Sequence, residues 1–206
     1  HNDHNYFEIA HTMRRLQGLC HDTRLYTFSD NHDVERLPNK LRNKAHIRHI
    51  AILVYTLWGI PSIYYGSEFG IEGKKEWGSD WPLRPCLELE DYKDALTTNP
   101  VTSVYAALGK LKAEEPALTW GEFKELHLTT QCYAYARVLD GEALVAVLNN
   151  GDSPAQLEFQ LPVEANAAED LLADTVGAQP VMTSFDWGRM KVQLPSNYAT
   201  ILRLKK

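Results

Sequence analysis

Leu25-Tyr26-Thr27-Phe28-Ser29-Asp30-Asn31-His32-Asp33-Val34-Glu35-Arg36 is a short apolar, β-prone run that stops abruptly at a dense polar cluster. A buried strand delivering side chains into a site reads this way. Leu25 to Phe28 is rich in aromatic and β-branched residues, as a parallel strand covered on both faces should be. Asn31, His32 and Asp33 follow at its carboxyl end, where α/β barrels place their chemistry. A carboxylate beside an imidazole and an amide can grip two vicinal hydroxyls, and a buried anion can stabilise a developing positive charge. The same residues also fit a polar turn in which Asp33 or Asn31 acts as a cap.

Upstream, Asn5-Tyr6-Phe7-Glu8 has the form of a capping box, and Tyr6, Ile9, Ala10, Met13 and Leu16 share one helical face before Gly18. The spacing predicts a helix over about 6–17, then a polar connector over 19–23. Downstream, 37–40 reads as loop, and a helix follows over about 43–57 with Ile47, Ile50, Ala51, Val54 and Leu57 as its buried stripe. Gly59 and then Pro61 end it. Ser62 to Tyr65 reads as the next strand. Helix, strand, helix, strand with short connectors gives α/β with parallel strands. Residues 66–98 carry Gly70, Gly73, Gly78, Pro82 and Pro85 with little periodicity, and so long a loop inside a compact fold is usually functional. Asn99-Pro100 supplies an N-cap and a first-turn proline for a helix over about 101–113, closed near Pro116.

From about Gly121 the pattern changes to period two. Runs at 123–128, 132–139, 142–148, 155–161, 189–194 and 198–204 alternate or are continuously apolar, and Asp140-Gly141 between two of them is a strong hairpin signal. Such short strands predict a small antiparallel sandwich, with the domain boundary near 118–122. The 206 residues suffice for one or two domains, with 44% hydrophobic and 23% charged residues as in ordinary globular proteins. A net charge of -6 without any Lys/Arg block argues against nucleic acid as a partner. No apolar run approaches a membrane span, so no membrane partner is expected. Cys20, Cys86 and Cys132 are too few and too scattered for a disulfide framework or a metal site. No cofactor is expected, and the compartment points to the reducing cytoplasm, with secretion left open.

Phe-x-x-Asn-His-Asp over 28–33 and Gly-Ile-Pro-x-Ile-Tyr-Tyr-Gly-x-Glu over 59–68 resemble the last two barrel strands of the α-amylase superfamily of glycoside hydrolases. The longer matches, Asp30 to Arg36 and Tyr65 to Gly73 with Leu83-Arg84-Pro85, look similar to bacterial enzymes of the maltodextrin and neopullulanase type. The resemblance implies an α/β plus all-β chain: the C-terminal part of a (β/α)8 TIM barrel, its last two strands and helices, over 1–119, then a small antiparallel β-sandwich over 120–206. It implies a retaining hydrolase of α-glucosidic bonds in starch and maltodextrins, with an α-glucan or maltooligosaccharide as substrate. Asp33 would hold hydroxyls of the reacting sugar and steady the transition state. His32 would donate to the same sugar beside Asn31, and Arg36 would line the adjacent subsite or pair with a site carboxylate. In the family the nucleophile and the acid/base stand on the fourth and fifth strands, expected to precede His1, so the chain alone is expected to be inactive. Two barrel strands without their partners leave open edges, which predicts a missing N-terminal barrel segment or a homo-oligomer partner. A non-catalytic maltodextrin-binding or assembly module, and a transglycosylase of the same family, remain as alternative readings.

Other residues read more plainly. His46 and His49, three apart on a helix, and His1 and His4 read as solvated rather than metal-bound, having no third ligand at suitable spacing. Trp77 and Trp81 fit either sugar stacking or loop packing. The resemblance makes Glu68 a buried, satisfied carboxylate near the barrel mouth. Arg84, in Leu83-Arg84-Pro85 and beside Asp80, reads as a substrate-side contact. The aromatics of the second half, Trp187 among them, fall mostly at strand spacing expected for core.

Overall fold

The computed structural model describes residues 5–19 and 23–206. His1, His4 and Cys20, with most of the 19–23 connector, lie outside the described residues. The first helix, α1 (Phe7–Leu19), begins where the Asn5 side chain accepts the Phe7 N–H at 3.0 Å. Strand β1 (Tyr26–Thr27) follows, then a short helix α2 (Leu37–Lys40) and helix α3 (His46–Thr56). Strand β2 (Ile60–Pro61) returns parallel to β1, with Tyr26 opposite Ile60 and Thr27 opposite Pro61. Short three-ten turns at Ser67–Phe69, Trp81–Leu83 and Leu89–Tyr92 punctuate the long loop. Helices α4 (Ala95–Thr98), α5 (Pro100–Glu114) and α6 (Ala117–Trp120) complete the helical part. Asn99 caps α5 through Oδ1, which accepts from Val101 N at 2.8 Å, while its amide donates to Phe69 O.

Three expectations about the first half need correction. The second strand is Ile60–Pro61, not Ser62–Tyr65. Ser62 N still reaches Thr27 O at 2.8 Å, but Ser67 N already turns back to Tyr64 O, and the two tyrosine rings lie against Arg36. The first strand is not covered on both faces, since Tyr26 is 67% exposed. Leu25 and Thr27 face inward while Tyr26 and Phe28 face out, because the helical layer covers only one side. Residues 37–40 are helical rather than loop, their first N–H being taken by the Asp30 carboxylate instead of an adjacent cap.

The second half is antiparallel throughout. Strands β3 (Glu122–Leu128), β4 (Cys132–Leu139), β5 (Glu142–Asn149), β7 (Ala167–Asp170) and β10 (Tyr198–Lys205) form one sheet in the order β3-β4-β5-β10-β7. Strands β6 (Ala155–Gln160), β8 (Met182–Asp186) and β9 (Arg189–Leu194) form a second in the order β6-β9-β8. The Asp140-Gly141 turn has φ of 51° and 82°, the left-handed pair that a two-residue hairpin demands.

The five-stranded sheet is buried on both faces. Tyr133, Tyr135, Leu144, Ala146, Leu148, Ala199 and Ile201 join a core with α1, α3, α5 and α6. Their alternate neighbours Ala134, Ala136, Val145, Val147 and Leu202 meet Leu157, Phe159, Met190 and Val192 of the smaller sheet. The molecule is therefore layered as helices, large sheet, small sheet. Ile52 of α3 and Leu108 of α5, both fully buried, each contribute about 2 kcal/mol.

Arg137 rivets the layers. Its buried guanidinium donates to Thr56 O at 2.8 Å, at the end of α3, and to Gly121 O at 2.8 and 3.2 Å, at the start of the sheet. Burial lowers its pKa to about 10, which leaves it a cation at neutral pH. His49, expected to be solvated, is instead buried between α3 and β5, where its Nε2 donates to Asn149 O at 2.9 Å. His46 meets the Asn197 side chain at 2.7 Å. No helix among the described residues is long and apolar enough to cross a membrane.

Candidate active site

The polar cluster after β1 forms a loop that doubles back at once. Asn31 Oδ1 accepts the Asp33 N–H at 2.9 Å, an Asx turn that presents His32 and Asp33 at the carboxyl end of the strand. Both are solvent-facing, their side chains 58% and 59% exposed, and His32 Nε2 stands 3.2 Å from Asp33 Oδ2. The other Asp33 oxygen accepts from Arg84 Nη2 at 3.2 Å. Arg84 also donates to His32 O at 3.2 Å and to Asp80 Oδ2 at 3.4 Å, so it bridges the loop after β1 to the long loop after β2. Lys75 repeats that tie, donating to Asp33 O at 2.9 Å and standing 3.4 Å from Asp80. Asp33 is thus a carboxylate in a field of two cations and an imidazole, held at one edge and open to solvent at the other.

The ring of Tyr64 lies 6.5 Å from that of His32. Partial burial, and then the neighbouring Tyr65, push its phenol above the usual range. Trp77 and Trp81, which flank Asp80 in sequence, are both exposed, so loop packing does not account for either ring. A cavity of about 380 Å³ lies between α3, α5 and the Val176–Tyr198 side of the sandwich, and none of Asn31, His32 and Asp33 lines it. Among the described residues no group of three His, Cys, Asp or Glu side chains is arranged to hold a metal ion.

Arg36 makes neither of the contacts expected of it. It is fully buried, and its guanidinium donates to Leu83 O at 2.8 and 3.2 Å and to Tyr65 O at 2.6 Å, beneath the rings of Tyr64 and Tyr65. A side chain with no exposed surface and three hydrogen bonds to two main-chain carbonyls cannot also reach a subsite. Glu68 is not the satisfied carboxylate expected, since its buried Oε2 has no hydrogen-bond partner among the described residues. Sequence reasoning passed over Asp30, which is only 2% exposed and accepts from Leu37 N, Ser29 Oγ and Ser67 Oγ. The available signal was an aspartate directly preceding the Asn-His-Asp triplet.

A family model described as "Alpha amylase, catalytic domain" matches residues 3–129. Among curated proteins, a cyclomaltodextrinase of Thermoanaerobacter pseudethanolicus is 28% identical over 149 residues, which is 72% of this chain and 24% of that protein. An α-amylase of Saccharomycopsis fibuligera is 26% identical over 205 residues, covering 94% of this chain and 39% of the relative. A solved Anoxybacillus α-amylase superposes with a TM-score of 0.74 at 23% identity, over 98% of this chain and 43% of that one. At that identity the structural likeness is one of fold. The chain spans less than half the length of each of these relatives.

Proposed function

The chain belongs to the α-amylase family, and from that premise we propose that residues 1–119 are the C-terminal part of a (β/α)8 catalytic barrel and residues 120–206 its C-terminal β-sandwich. The barrel is that of a retaining glycoside hydrolase acting on α-glucosidic bonds of starch or maltodextrins. Asp33 holds hydroxyls of the reacting glucosyl unit and stabilises its oxocarbenium charge. His32 donates to the same unit, and Asn31 shapes the turn that presents both. The observation that carries this reading is the placement of the Asn31-His32-Asp33 turn at the carboxyl end of the first strand of a parallel β-α-β unit, inside the stretch that matches the family.

The chemistry follows from charge. Retaining cleavage passes through a cationic sugar, flanked by two carboxylates about 5–5.5 Å apart. A third carboxylate fixed beside the ring gains in attraction as that charge develops, which lowers the barrier more than it tightens ground-state binding. The polar contacts of Asp33 are with Asn31, His32, Arg84 and Lys75, none of which is a carboxylate that could serve as the nucleophile or the acid/base of a two-carboxylate mechanism. The nucleophile and the acid/base belong, on this reading, to polypeptide outside these 206 residues. Arg84 and Asp80 border the substrate on the side of the long loop.

Reducing-sugar release from maltoheptaose tests the assignment. The 206-residue chain alone should give none, and addition in trans of a polypeptide bearing the other six barrel strands should restore it. Hydrolysis by this chain alone that persists after Asp33→Ala would overturn the reading.

A further inference from the structure

Two buried charges of opposite sign bracket the Asn31–Glu35 turn, and among the described residues neither has an ion-pair partner. Asp30 stands before the turn, its Oδ1 and Oδ2 accepting Ser67 Oγ at 3.0 and 3.1 Å and its Oδ2 also taking Leu37 N at 2.9 Å. Arg36 stands after it, donating to Tyr65 O at 2.6 Å and to Leu83 O, while its own N–H donates to Gly73 O at 3.0 Å. Within Tyr65-Gly66-Ser67 the arginine holds Tyr65 and the aspartate holds Ser67, one on each side of the glycine. A buried charge satisfied only by neutral groups is costly, and such a pair is retained where it fixes a geometry.

Gly66 makes the double grip possible. Its φ is +84°, and a Cβ there would stand 2.8 Å from Ile71 Cδ1 and 3.1 Å from Arg36 Nη1. Any side chain would therefore strain the backbone, displace Ile71 and crowd the guanidinium by a few tenths of an ångström. The aspartate lies on one flank of the glycine and the arginine on the other, so the loop after β1 is tied to the loop after β2 at both ends of its turn.

We infer that Asp30 and Arg36 are positioning residues, a clamp on Tyr65-Gly66-Ser67 that fixes where the Asp33 carboxylate stands. The structural half of this inference is independent of the proposed function; its catalytic half rests on that reading. The clamp acts through Asp33 and touches no substrate. Asp30→Asn turns one acceptor into an NH2 that opposes the Leu37 N–H or the Ser67 hydroxyl. Ser67→Ala removes a donor from the same bond set.

Hydrogen exchange of peptides spanning 29–38 tests the structural half on this chain. Asp30→Asn and Ser67→Ala should each speed exchange there at least tenfold, with sandwich peptides at 142–149 and 198–205 unchanged as the control for folding. Unchanged exchange at 29–38 overturns the clamp. The catalytic half is read from kcat on maltoheptaose in the reconstituted barrel, per folded molecule and well below the unfolding midpoint. Asp30→Asn should lower kcat about 10–100-fold with KM within twofold, and adding Ser67→Ala should lower it little further, since both remove one contact. A full kcat in Asp30→Asn beside an inactive Asp33→Asn overturns the positioning role and leaves the function standing. An active Asp33→Asn overturns the function instead.

Discussion

Gly59 decides whether β1 and β2 can meet. It has φ +149°, and a Cβ there would lie 2.7 Å from Leu25 O, the carbonyl that accepts the Ile60 N–H. Gly59→Ala should therefore part β1 from β2 and cost about 2 kcal/mol or more in chemical denaturation. His49 makes stability depend on pH. Burial, opposed in part by the Asn149 carbonyl, lowers its imidazole to about 4 from an unfolded value near 6.5. Between those values the unfolded chain binds a proton that the folded chain refuses, so stability falls as pH falls through that window. The expected loss from pH 7 to pH 5 is about 2 kcal/mol, and His49→Gln, which keeps a donor for Asn149 O, should flatten it. Urea midpoints at the two pH values measure both. The solvated reading of His49 failed because β5, a hundred residues away, covers it. Arg36 was misread for the same reason, since the carbonyls it serves belong to Tyr65 and Leu83. Residue type and spacing point to the Asn31-His32-Asp33 turn, but they carry no information on which neighbouring charge is buried.

At the scale of elements, Arg137 is the joint between α3 and the large sheet. Arg137→Met would strand the Thr56 and Gly121 carbonyls, losing charge-assisted bonds while regaining the cost of burying a cation. Three lost bonds outweigh one recovered desolvation, and a destabilisation of about 2 kcal/mol is expected from the shift in denaturation midpoint. A midpoint unchanged from wild type would mean that the apolar packing of Tyr135 and Leu118 holds the joint without it. Strands β4, β5 and β10 were legible because burial on both faces makes them continuously apolar, and Asp140-Gly141 announces the hairpin between two of them. Strand β7, Ala-Ala-Glu-Asp, lies at the sheet edge with little apolar content, and β8, Met-Thr-Ser-Phe-Asp, alternates too weakly to stand out. The displacement of β2 from 62–65 to 60–61 came from aromatic rings drawn onto Arg36, a tertiary effect with no local signature.

At the scale of the whole molecule, the large sheet is covered by helices on one face and by the small sheet on the other, whereas the β1–β2 ribbon presents Tyr26, Phe28 and Ile60 to solvent. A two-stranded ribbon is marginal by itself, and its open apolar edges recruit further strands. Sedimentation of the 206-residue chain should show concentration-dependent self-association that Tyr26→Lys with Ile60→Lys abolishes; a monomer at all concentrations would show that this face needs no cover. The loop after β1 also bears the proposed catalytic carboxylate, so on the proposed reading the strands that would cover this face and the residues that would complete the chemistry come together. Turnover of maltoheptaose by the reconstituted barrel, with and without Asp33→Asn, tests this most directly. The expected result is a fall in kcat of about 10²–10³-fold with KM little changed, and an Asp33→Asn barrel that turns over at the wild-type rate would contradict it.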